Sequence, residues 1–131
     1  MSDNPLMTAL HTWRHTGAPG GTIGYAGYLP GRDLLWSRQT PVADLPPTDW
    51  TPTAAVLRCL TDPTRLAALA DLLAGRGPLP AEHVAPLEAA GLITRRHTGE
   101  HDIAPQAAVP LLTILAAATN IATDTRPAAL R

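Results

Sequence analysis

Five histidines, one cysteine and a thin scatter of carboxylates are the groups in this chain able to ligate, titrate or attack. His11 and His15 stand four apart, the helical geometry of a two-imidazole metal clip, but no third ligand stands at a fixed spacing from them. His97 and His101 flank a glycine-containing turn with Glu100 and Asp102 beside them; such polar tips are ordinarily hydrated. Cys59 is alone, so neither a disulfide nor a Cys-x-x-Cys clip can form within the chain, and its apolar helical setting makes it a core thiol. Asp62, Asp71, Glu82, Glu88 and Asp102 occur singly, with no spacing that forces an acid/base couple. Gly17-Ala18-Pro19-Gly20-Gly21-Thr22-Ile23-Gly24 is glycine-rich but lacks the lysine and the opening helix of a phosphate loop. The expectation is a chain without enzymatic activity, metal or cofactor.

Two groups of residues remain as binding chemistry. Arg95-Arg96-His97 is the one basic cluster, able to meet phosphate. All five aromatic residues, Trp13, Tyr25, Tyr28, Trp36 and Trp50, fall in the first 50 positions. They either make a minor core or, through Tyr25, Tyr28 and Trp36, line a small-molecule pocket, for which flat walls with polar tips are suited. All ten basic residues are arginine and the net charge is −1, whereas a duplex binder ordinarily shows a basic balance.

The elements that must position these groups change character at residue 50. Residues 8–15 read as a short helix ended by Ala18-Pro19-Gly20-Gly21. Residues 22–29 and 34–40 read as strands joined by a type II turn at Pro30-Gly31, with a positive-φ glycine, and Gly24 and Gly27 suggest a bulge or a close approach. Residues 41–47 read as an extended connector. From Trp50 the apolar period becomes helical. Thr51 is expected to cap a helix starting at Pro52, with Val56, Leu57 and Leu60 on one face. Asp62 caps the next, Pro63 takes its first position, Leu66, Leu69, Leu72 and Leu73 form its stripe, and Gly75 ends it. Residues 92–96 and 101–103 form a second hairpin about His97-Thr98-Gly99-Glu100. A last helix over residues 110–122 carries Leu111, Leu112, Ile114, Leu115, Ala118 and Ile121 around most of its circumference, so it must be buried on more than one side. Either a second copy or the N-terminal hairpin covers it.

The stretch Leu57-Arg58-Cys59-Leu60-Thr61-Asp62-Pro63-Thr64-Arg65-Leu66-Ala67-Ala68-Leu69 resembles the L-x-x-L-x-D-P-T-R-L-x-x-L signature of ArsR-type winged-helix regulators. Ala89-Ala90-Gly91-Leu92-Ile93-Thr94-Arg95-Arg96 resembles that family's passage from recognition helix into wing. The resemblance covers roughly Pro52 to Ala122 and implies a winged-helix fold, duplex DNA as partner and dimerisation through terminal helices. In that family a helix, a turn and a recognition helix, together on the order of 30 residues, separate the two motifs. Here only residues 74–87 are available, so one helix has no room. Aligned backward from Gly91, His83, Val84 and Leu87 fall in the recognition helix, and the missing element is the scaffold helix before it. Pro86 makes the remaining helix short, kinked or split.

The resulting expectation is an α+β chain: an N-terminal extension with a β-hairpin over residues 1–50, and a winged-helix domain with a C-terminal dimerisation helix over residues 51–131. Its expected function is a DNA-binding transcriptional regulator, with His83 facing bases and Arg95, Arg96 and His97 meeting phosphate or minor groove. Leu111, Leu112, Leu115 and Ala118 would form the homodimer interface. The alternative is a winged-helix module that has lost DNA reading and binds a protein, peptide or small ligand. Met1-Ser2-Asp3-Asn4 is followed by no apolar leader, so the cytoplasm is the expected location. The uncharged run over residues 103–123 is interrupted by Pro105, Gln106, Pro110 and Asn120, which argues against a membrane span.

Overall fold

Asn4 accepts a hydrogen bond from the Leu6 amide at 2.9 Å and Pro5 takes the first helical position, so helix α1 (Pro5–Thr16) starts earlier than residue 8. The structure, a computed structural model, describes residues 4–124 as an α+β chain of five helices and two small antiparallel hairpins. Strands β1 (Thr22–Leu29) and β2 (Leu34–Pro41) pair in register from Thr22 opposite Pro41 to Leu29 opposite Leu34. Their connection is a 3-10 turn over Pro30–Arg32, and the left-handed residue is Asp33, with φ 49°, in place of the expected Gly31 of a type II turn. Aspartate is among the few side chains that tolerate this conformation. The connector after β2 contains a further 3-10 turn at Val42–Asp44, so it is not extended throughout.

Gly24 and Gly27 mark close approaches, by side chains and from opposite faces of the strand. A Cβ on Gly24 would overlap the Trp13 ring of α1, and one on Gly27 would lie 2.9 Å from both Val109 methyls. Because side chains alternate along a strand, β1 is held between α1 and the C-terminal helix.

Helix α2 (Thr51–Cys59) has Trp50 at its N-cap position with no side-chain cap; Asp49, one residue earlier, accepts at Oδ1 from the Thr51 amide at 3.0 Å and the Thr51 hydroxyl at 2.8 Å. Thr51 is therefore inside the helix and is not its cap. Helix α3 (Pro63–Leu73) has the cap its sequence predicts: Asp62 Oδ1 accepts from the Thr64 amide at 2.9 Å, with Pro63 at the first position. Residues 74–80 then lead directly into a 3-10 turn, Ala81–His83, and a six-residue helix α4, Val84–Ala89. The segment around Pro86 is thus short and split. Pro86 sits in the first turn of α4, where its missing N–H has no intrahelical acceptor to lose. Gly91, with φ 77°, closes α4 as the Gly91 and Leu92 amides donate to the Glu88 and Leu87 carbonyls.

Strands β3 (Ile93–Arg95) and β4 (His101–Ile103) pair with Ile93 opposite Ile103. Helix α5 (Pro105–Thr123) begins with Pro105, so Pro110 lies inside it and not at its start. Both prolines suit a first position; Pro105 holds it, and Pro110 leaves the Gln106 carbonyl without its helical donor. Cys59, Leu69, Leu72, Leu87, Ile93, Ile103, Ala108 and Leu111 belong to one core, against which Leu29 and Leu34 of the first hairpin pack. Burial along α5 fades: Ala108, Val109 and Leu111 are buried, residues 112–115 half-buried and residues 116–123 exposed. The expected burial on more than one side is met within this chain only near the start of the helix.

Four substitutions test this packing and capping. Gly27→Ala should cost about 1–3 kcal/mol through overpacking against Val109. Val109→Ala in the same chain should recover part of that, while Gly31→Ala, into open space, should leave the denaturant midpoint near wild type. Asp62→Ala should lower stability by about 1 kcal/mol, and an unchanged midpoint would exclude the cap.

Candidate functional site

The turn of the first hairpin and the strands of the second meet at a single carboxylate. Asp102 on β4 accepts at Oδ2 from Arg32 Nη1 at 2.9 Å and from Arg96 Nη2 at 2.6 Å, while its Oδ1 accepts from the Ile103 amide at 2.8 Å. Arg32 leaves its 3-10 turn just before the left-handed Asp33; Arg96 follows β3, where its amide donates to the Glu100 carbonyl at 2.7 Å. The Asp102 side chain is only 14% exposed, so these bonds replace most of its hydration. Burial opposes its ionisation, but the Arg32 hydrogen bond, the Ile103 amide and the two guanidinium charges outweigh that and hold the carboxyl below its ordinary value. The ion pairs border a cleft of about 770 Å³ whose lining also includes Leu72, Leu73 and Leu79.

The residues expected to read DNA are not brought together. His83 is 3% exposed, and its Nδ1 accepts from Arg65 Nε at 3.3 Å, so the ring is turned into the protein and not toward an outer face. The same guanidinium donates through Nη1 to the Cys59 carbonyl at 3.1 Å and approaches Cys59 Sγ at 3.8 Å, tying α3 to the end of α2. The segment aligned with a recognition helix shows solvent Glu82, Ala85, Glu88 and Ala89. Arg95 and His97 are exposed on the second hairpin, but Arg96 is committed to Asp102.

The aromatic residues divide between packing and surface. Tyr25 and Trp36 are in contact with ring centroids 5.4 Å apart, and the Arg38 guanidinium lies 5.4 Å from the Trp36 ring centre. Tyr28 is 63% exposed and, with Leu35 and Trp36, borders a shallow depression on the hairpin. Trp50 is exposed as well; Tyr25 and Trp36 pack on the face of the hairpin that carries Gly27, and Trp13 packs on the opposite face at Gly24, so the aromatic residues do not form one minor core. Of the residues assigned to a dimer interface, Leu111 is wholly buried by its own chain, Leu112 and Leu115 are half-buried, and Ala118 is exposed. No group of three metal-ligating side chains occurs among the described residues. His101 Nε2 is buried, 3.7 Å from Glu88 Oε2 and without a hydrogen bond.

Sequence reasoning missed the Arg32–Asp102 pair, because its partners lie 70 positions apart. Only the isolation of Asp102 beside a basic cluster hinted that it has a partner. No protein-family model, no curated protein and no solved structure matches this chain.

A carboxyl held below its ordinary value stabilises the fold fully above that value, 3.8 for Asp102, and loses the contribution as pH falls through the folded value. Asp102→Asn should therefore be less stable than wild type at neutral pH and show a shallower loss of stability below about pH 4. Arg32→Gln should cost about 1–2 kcal/mol. Arg96→Gln should cost less, since its guanidinium side chain is 57% exposed.

Proposed function

We propose that this chain is a winged-helix-type module, related to ArsR-type regulators, that has lost duplex reading and acts by binding a partner or ligand. The observation that carries this reading is the burial of His83 under Arg65, in a segment whose solvent face offers Glu82 and Glu88 and no cation. A recognition helix must project side chains into the major groove. Carboxylates there face the phosphates and repel them. The rival reading, a DNA-binding regulator, is favoured by Arg95 and His97, both exposed on the hairpin that corresponds to a wing.

Self-association through α5 belongs to the same proposal. The helix carries no charged residue, and its C-terminal half is uncovered, with Ile121 75% exposed. Its 19 residues are long and apolar enough to cross a membrane by length and composition, so a lipid surface is the competing occupant.

Fluorescence anisotropy with labelled duplex DNA across a salt series decides between the readings. The module predicts no salt-sensitive binding even at low ionic strength. Binding that weakens with salt, and whose salt slope falls by about one unit per lost phosphate contact in Arg95→Ala, establishes the regulator instead. Sedimentation tests the second part: wild type should be dimeric at micromolar concentration and Ile121→Glu, at an exposed position, monomeric. Leu115→Glu should disrupt association too but also disturb the core it packs against. A monomeric wild type would remove the dimer.

A further inference from the structure

The geometry points to the cleft between the two hairpins and the end of α3 as a binding site for a small organic carboxylate with an apolar tail. This rests on the reading of the chain as a ligand-binding module and gives that ligand a place and a chemical class. Two guanidinium groups converge on one oxygen, Asp102 Oδ2, each through a single nitrogen. A guanidinium carries five N–H donors in a planar fork suited to bidentate carboxylate recognition. Among the described residues neither side chain donates to any other acceptor, so donors are left over on both. Two cations on one anion also leave the group with one uncompensated positive charge.

A ligand carboxylate completes an alternation of charge: Arg32 and Arg96 on one side, Asp102 and the ligand on the other. Charge-assisted bonds of this kind are the stronger class of hydrogen bond. The cleft, about 770 Å³, falls in the size range of small-molecule sites, and Leu72, Leu73 and Leu79 give it an apolar wall for the tail. Leu73 and Leu79 remain half-exposed, so covering them removes apolar surface from water. Glu100 also borders the cleft but is solvent-exposed, where screening weakens its opposition to an anion. Gly31 borders the cleft from the hairpin turn, with open space where a Cβ would stand.

The test is an NMR titration of the full chain with hexanoate, hexanol and inorganic phosphate, followed at the arginine Nε–H resonances. Hexanoate should shift the Arg32 and Arg96 signals saturably, phosphate should bind more weakly for want of a tail, and hexanol should leave both signals unmoved. Arg96→Gln, at a largely exposed side chain, should weaken hexanoate about tenfold. Gly31→Leu should block binding by filling the cleft while the Arg32–Asp102 pair persists. The site is overturned by an absence of saturable shift with hexanoate, by equal shifts with hexanol, by phosphate binding as tightly as hexanoate, or by unchanged affinity in Arg96→Gln. A silent hexanoate titration beside absent duplex binding removes the cleft and leaves the module reading. Hexanoate uptake beside salt-sensitive duplex binding does the reverse.

Discussion

The short connection between α3 and α4 constrains where α4 can sit. Residues 74–80 cannot form a helix and two turns, so α4 cannot stand away from α3 on a scaffold of its own. It packs directly into the core, where Leu87 is wholly buried and His83 is enclosed against Arg65. A segment fixed inward by its only two buried side chains cannot also offer them to a groove. Over residues 81–89 it leaves in solvent three alanines, Ala81, Ala85 and Ala89, and two carboxylates, Glu82 and Glu88.

The first hairpin adds to the common core. Leu29 and Leu34, paired beside its turn, pack against the common core, and Gly27 lets β1 approach Val109 on α5. Asp102 then ties that turn to the second hairpin. One carboxylate thereby positions Arg32 across a gap of sequence and takes Arg96 out of the basic cluster. The same bonds that hold the hairpin in place thus lower the positive charge free to meet phosphate. Structural and functional consequences share one residue.

Local signals in the sequence were legible where a single residue type has one good use. Asp62-Pro63 marked the start of α3, Gly75 its end, and the turn residues Pro30-Gly31 marked the hairpin of β1 and β2. Errors arose where two residues compete for one role. Asp49 and Thr51 compete at the start of α2, where Asp49 accepts from both the amide and the hydroxyl of Thr51 and Thr51 falls inside the helix. Pro105 and Pro110 can both open α5. The positive φ in the first turn went to Asp33 because a 3-10 turn over Pro30–Arg32 leaves the left-handed position after it. The candidate site was illegible for a different reason: Arg32 and Asp102 are brought together by tertiary packing, and neither carries a local pattern. His83 turns inward because it is enclosed against Arg65, a contact between residues 18 positions apart that no local pattern announces.

The inward orientation of His83 is the claim on which the rest stands, and deuterium exchange at the imidazole C2 position measures it residue by residue. His97, exposed on the second hairpin, supplies the internal reference. Exchange at His83 much slower than at His97 in the native chain, converging once the chain is unfolded in denaturant, is the predicted result. Native exchange at His83 as fast as at His97 would place the ring in solvent and contradict the account.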